Sequence, residues 1–164
     1  MRTGVDFDAV EVGTSLDGFT TPALTRTMLA RFAGAIDVYD PVHLDDAVAK
    51  ATGRASVYAP GALVMAWIGR MVQQWVADAT LRTYGLRMTK LLWPGDVMTC
   101  RGTVRDKSDA GEQWSVAVDV RADNQRGEMV ATGRFIAVAP KGGRRATASS
   151  ERGLTLPSAT QTRR

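Results

Sequence analysis

Histidine occurs once in these 164 residues, at position 43, where it closes the run Asp37-Val38-Tyr39-Asp40-Pro41-Val42-His43. An imidazole exchanges protons near neutral pH, so His43 is the natural centre for acid–base chemistry. A lone histidine is also an ordinary structural residue, and Asp37 and Asp40 suit turns and caps equally well. Chemistry of other kinds finds less support. No Gly-x-Gly-x-x-Gly, Walker, Cys-x-x-Cys or His-x-x-x-His pattern occurs, which leaves dinucleotide, phosphate-loop and metal sites without a motif. Cys100 is the only cysteine, so no intramolecular disulfide can form, in keeping with a reducing cytoplasm.

The elements that must position His43 can be read from periodicity. Thr25 suits an N-cap for a helix in which Met28, Leu29, Phe32, Ala33 and Ile36 recur at spacings of three and four. Pro41 should end any helical run, and residues 44–52 suit a short helix closed by Gly53. Pro60-Gly61 then opens a long apolar array that includes Leu63, Val64, Trp67, Ile68, Met71, Val72, Trp75 and Val76. That helix is apolar around most of its circumference, which predicts a helix enclosed on every side. Arg70, Gln73, Gln74 and Asp78 interrupt it, so it reads as a core helix and not as a membrane span.

Strand-like segments follow. They cover residues 81–91, 97–105 with a turn at Trp93-Pro94-Gly95-Asp96 before it, 114–121 after a loop at 106–113, and 128–138 after a hairpin at 124–127. In the second, Met98, Cys100, Gly102 and Val104 alternate with Thr99, Arg101, Thr103 and Arg105. One enclosed helix followed by three or four antiparallel strands has few solutions, and the economical one is an α+β fold with the sheet curled around the helix.

Charge is unevenly placed. The chain is +4 overall, but residues 1–140 are net −1 and residues 141–164 are net +5. The division predicts a domain over 1–140 and a basic, disordered tail over 141–164, rich in Gly, Ser, Thr and Arg. Basicity confined to a solvated end gives no reason to expect a nucleic-acid partner. The first residues carry Asp6, Asp8 and Glu11 and no apolar signal stretch, and no membrane segment is expected, so the reading is a cytoplasmic protein.

Between about residues 20 and 138 the chain resembles the MaoC-like hydratases and dehydratases. The resemblance rests on Leu24-Thr25, Phe32-Ala33, Asp40-Pro41-Val42-His43-Leu44-Asp45, Gly61-Ala62-Leu63 and Leu92-Trp93-Pro94-Gly95-Asp96 in that order. It implies a hot-dog fold and (R)-specific hydration of an enoyl thioester, or dehydration of a 3-hydroxyacyl thioester. The substrate would be carried on coenzyme A or acyl carrier protein, with no further cofactor. The family histidine falls on His43, and the family glycine whose N–H meets the thioester oxygen falls on Gly61, preceded here by Pro60 where many members have histidine. The family aspartate, five residues before the histidine, falls on Val38, which leaves Asp37 and Asp40 as its replacements. Tyr39, Tyr58 and Trp67 are the expected pocket lining.

Three functional readings stay open. The first is a hydro-lyase acting on an acyl thioester, including a tailoring variant that performs proton transfer or cyclisation on polyketide or steroid-type substrates with His43 alone. The second is a non-catalytic partner chain. The resemblance implies edge-to-edge dimers, usually homodimers, with heterodimers of one active and one degenerate MaoC-like chain as the alternative. The third, a thioesterase, would want a carboxylate on the central helix, where Asp78 stands near the far end.

Overall fold

The computed structural model describes residues 5–76 and 79–142. Its elements are β1 (Ser15–Thr20), α1 (Arg26–Ile36), a 3-10 turn (Pro41–His43), α2 (Asp46–Ala51), α3 (Gly61–Trp75), β2 (Thr80–Met88), β3 (Met98–Ala110), β4 (Gln113–Asn124) and β5 (Met129–Pro140). The five strands form one antiparallel sheet in the order β1-β3-β4-β5-β2, with the long helix α3 against its concave side.

Alternation makes this core. Met98, Cys100, Gly102 and Val104 on β3, Val116, Val118, Val120 and Ala122 on β4, and Phe135, Ala137 and Ala139 on β5 are buried. They meet Leu63, Val64, Ile68, Met71, Val72 and Trp75 of α3, and Trp75 sets its ring against Phe135 at 5.7 Å between centroids. Cys100 lies inside this layer, and burial pushes its thiol up to about 12. At Gly133 an added Cβ would collide with the Gly85 carbonyl oxygen, so glycine alone permits the approach of β5 to β2 there.

Several boundaries differ from the sequence reading. There is a fifth strand, β1, whose Leu16 is buried while a bulge between Leu16 and Phe19 breaks the period of two. The segment 106–113 is not a loop: β3 and β4 pair up to Ala110 and Gln113 and turn over two residues, with Gly111 at φ 76°. Polar side chains on both strands gave this ladder a loop-like composition. β2 ends at Met88 rather than 91, because Thr89 and Lys90 turn their N–H groups to the Val130 carbonyl.

Pro41 begins a helical turn instead of only ending one, since proline at a first helical position gives up an N–H that would be unbonded anyway. α2 accordingly starts at Asp46, not Leu44, with Gly53 in the left-handed region after it. Ile36, expected on the buried face of α1, is exposed at the helix's last residue. The largest correction concerns α3, which is enclosed on one side only. Gly61, Ala62, Ala66 and Arg70 are exposed, because the sheet covers the face that carries the large side chains and stops at the edge strand β2.

Of the proposed basic tail, residues 143–164 lie outside the described residues, as does Asp78. Lys141 is not free: its Nζ lies 2.5 Å from the Asp109 carboxylate and 4.5 Å from the centre of the Trp114 ring, which Lys107 also covers at 4.3 Å.

Candidate active site

Thr25 caps α1 through its Oγ1, which accepts from the Met28 N–H. The helix ends at Asp37, whose backbone is left-handed (φ 53°) and whose N–H returns to the Ala33 carbonyl. From there the chain reverses through exposed Val38 and Tyr39 into a turn capped by Asp40, whose Oδ1 accepts from the Val42 N–H at 3.2 Å. His43 closes that turn. Asp45 caps α2 at once by accepting from the Ala47 N–H at 2.7 Å. Thus three successive local caps, each legible as a residue type, build the segment that carries the imidazole.

Asp46 anchors this segment to its surroundings. Its carboxylate accepts from the Val57 N–H (3.0 Å), the Arg26 guanidinium (2.6 Å) and the Ser56 hydroxyl (2.9 Å). Those three donors, the Val57 N–H foremost, lower its pKa to about 2. α2, the start of α1 and the strand-like approach to α3 are therefore joined at one residue.

His43 is half-buried, and its Nδ1 lies 2.9 Å from the Tyr58 carbonyl oxygen. A carbonyl only accepts, so Nδ1 donates, and whenever the ring is neutral its lone pair is at Nε2. The Tyr58 ring meets the imidazole edge-on at 4.8 Å, Trp93 lies edge-on to Tyr58 at 5.9 Å, and Arg54 lies over Tyr58 at 5.9 Å. Three residues beyond Tyr58, Gly61 opens α3 behind Pro60, which supplies no side-chain cap. The first N–H groups of a helix have no partner within it, and the positive end of the helix dipole lies behind them. Met88 packs over this start, its Cγ 3.5 Å from where a Cβ on Gly61 would be.

The structure thus joins His43 to Tyr58, three residues before Gly61 opens α3. Among the described residues it forms no hydrogen bond or ion pair between the imidazole and any carboxylate. Asp40 is engaged as a cap and Asp37 ends α1. Val38, at the position of the family aspartate, is 55% exposed. Tyr39 is exposed beside Gly34, and Trp67 is half-buried against the core.

A groove of about 470 Å³ runs along the open face of α3, and its walls include none of the three aromatic residues expected to line a pocket. It is bounded by Ala62, Met65, Ala66, Gly69, Arg70 and Gln73 of α3 and by Leu81 and Tyr84 of β2. Tyr84 donates to the Met65 carbonyl at 2.8 Å, and burial holds its phenol well above the usual range. The small residues at 61, 62, 66 and 69 were the signal that could have revealed this face. Among the described residues no group of three or more His, Cys, Asp or Glu could hold a metal ion, and no helix is long and apolar enough to cross a membrane.

An antiparallel sheet wrapped on one long helix, with a histidine loop beside the helix start, defines the hot-dog fold of MaoC-like hydratases and dehydratases. The chain belongs to the FAS1-like dehydratase domain region family, whose model matches residues 11–133. A UPF0336 protein of Thermobifida fusca (strain YX) is 32% identical over 119 residues, which is 66% of this chain and 78% of that protein. The R-hydratase PhaJ1 from Pseudomonas aeruginosa superposes with a TM-score of 0.73 at 26% identity, over 84% of this chain and 86% of the other. A MaoC-like dehydratase from Rhodospirillum rubrum shares the fold, with a TM-score of 0.74 at 22% identity over 84% and 97% of the two chains.

Proposed function

We propose that this chain is a hydro-lyase for acyl thioesters, adding water across an enoyl double bond or removing it from a 3-hydroxyacyl group, with His43 as the proton-transfer residue. The observation that carries this reading is the bond from Nδ1 to the carbonyl of Tyr58, three residues before α3 begins, which leaves the lone pair of the neutral ring at Nε2. In hydration, water attacks the β-carbon and gives its proton to Nε2. The electrons of the double bond move onto the thioester oxygen, where the Gly61 N–H and the helix dipole stabilise the charge. The imidazolium then returns the proton to the α-carbon, so the elements of water are added and the ring ends as it began. Asp37 and Asp40 stand close by in sequence and are the candidates to share the second proton step. Purified protein should hydrate crotonyl-coenzyme A or longer enoyl thioesters, and His43→Ala should remove that turnover; turnover unaffected by the substitution would overturn the reading.

A second reading is favoured by Val38 and by the lack, among the described residues, of a carboxylate bonded to the imidazole: a partner chain that shapes an acyl site completed by a sister subunit. Silence of the chain alone, followed by activity on adding a MaoC-like sister chain that does not depend on His43, would establish it. In both readings a second chain covers the open face of α3, where β2 is an unpaired edge with Leu81 and Met88 exposed. Ala66→Arg, in the floor of the groove, should reduce the assembly to monomer in light scattering while leaving the fold intact.

A further inference from the structure

We infer that the turn at residues 93–96 is a positioning device for the imidazole: Trp93, held by Asp96 and Arg126, fixes Tyr58 so that its carbonyl selects the Nδ1–H tautomer of His43. The consequence for catalysis rests on the reading of His43 given above; the tautomer itself does not. A neutral histidine in water favours the proton on Nε2, the arrangement that would remove the base proposed here. Something must hold the acceptor in place against that preference, and a single carbonyl on a mobile loop would not suffice.

Tyr58 is gripped through both its ring and its backbone. The ring lies between the His43 edge, Trp93 and the Arg54 guanidinium. The next residue, Ala59, donates its N–H to the Leu92 carbonyl at 2.8 Å, so the backbone carrying the Tyr58 carbonyl is in register with the residues that enter the turn. Leu92 is buried in the core.

Trp93 is fixed in turn by Asp96, whose Oδ2 accepts its backbone N–H at 3.0 Å. Asp96 is only 3% exposed, and its Oδ1 accepts from Arg126 at 2.7 Å and from Gln125 at 2.8 Å. The β4–β5 turn that supplies these donors is locked by the Asn124 side chain, which accepts from the N–H groups of Arg126 and Glu128. A desolvated carboxylate is costly to keep and is retained where it orders several segments together. Here those segments end at the Tyr58 carbonyl, which accepts from the imidazole. Trp93, Asp96 and Arg126 are positioning residues; none has to touch a substrate.

The sole histidine makes the test direct. In protein labelled with ¹⁵N-histidine, the neutral wild-type ring should show a protonated Nδ1 and an unprotonated Nε2. Trp93→Ala should move the population largely to the Nε2–H form, and Trp93→Phe, which keeps an aromatic edge against Tyr58, should restore the wild-type pattern. Arg126→Gln, a substitution at a half-exposed side chain, should act in the same direction as Trp93→Ala even where the latter fails to fold. A wild-type ring protonated on Nε2, or folded Trp93→Ala and Arg126→Gln proteins with unchanged ring nitrogens, would overturn the inference. If the tautomers follow this course in a protein without hydratase turnover, the positioning stands and the hydratase reading falls. If turnover depends on His43 but the tautomer ignores Trp93 and Arg126, the reverse holds.

Discussion

Asp96 and Asp40 perform the same elementary act, each accepting a hydrogen bond from a backbone N–H within a turn, yet they sit in opposite surroundings. Asp96 is sealed from water and engages a backbone N–H, an amide and a guanidinium. Asp40 is exposed and caps one turn. The first turn joins three parts of the chain, since Leu24 also pairs with Gly95 and Asp96 through its backbone. The second carries the imidazole and is held locally. Tertiary hydrogen bonds are concentrated at the Asp96 corner, while the imidazole proposed to transfer protons projects from a loop tied to that corner through Tyr58.

The contrast can be broken most sharply at His43. His43→Ala should lower turnover by roughly 10² to 10⁴, the usual contribution of a general acid–base group. Its thermal unfolding should move little, because the ring makes one hydrogen bond at a half-buried position. Comparing the two measurements on one sample checks that chemistry and stability separate at this loop.

Asp96→Ala reverses the pattern. Removing the carboxylate leaves the Trp93 backbone N–H and the Gln125 amide without their acceptor and Arg126 with Glu128 alone, which should cost about 1–3 kcal/mol in denaturant unfolding. Asp40→Ala should cost only about 0.5 kcal/mol by the same measurement, since water can replace a cap at an exposed turn. Equal losses for the two aspartates would show that the tertiary hydrogen bonds of the corner do not add the stability assigned to them.

Acid sharpens the comparison most gently. Burial raises the Asp96 pKa, but hydrogen bonds from Arg126, the Trp93 N–H and Gln125 outweigh it and leave the group below its usual range. Asp46 and Glu128 are lowered to about 2, Asp46 chiefly by the Val57 N–H and Glu128 chiefly by Asn124. Groups depressed in the folded state contribute stability that is fully present above the unfolded carboxylate value of roughly 4 and is lost as pH falls towards about 2. Unfolding measured across that window should show the loss, and Asp46→Asn should flatten part of it.

Much of the architecture was legible because it depends on local chemistry and period. Thr25, Gly53 and the alternation of Met98, Cys100, Gly102 and Val104 mark their elements by rules that act over a few residues. The histidine loop was found by the same means, and so was the glycine that opens α3. The ladder at 106–113 was not legible, since strands exposed on their far side carry loop-like residues, and neither was β1, whose bulge spoils the alternation.

The amino-acid sequence by itself determined which residues cap, which alternate into a core and which one carries the sole imidazole, because those properties belong to side chains and their near neighbours. Only the tertiary structure decided that the apolar helix keeps an open face, that Asp96 is buried while Asp37 and Asp40 are exposed, and that His43 Nδ1 faces the Tyr58 carbonyl. Those outcomes depend on where the sheet ends and on which turns meet at its corner. Segments dozens of residues apart settle both, and no period or motif records their meeting.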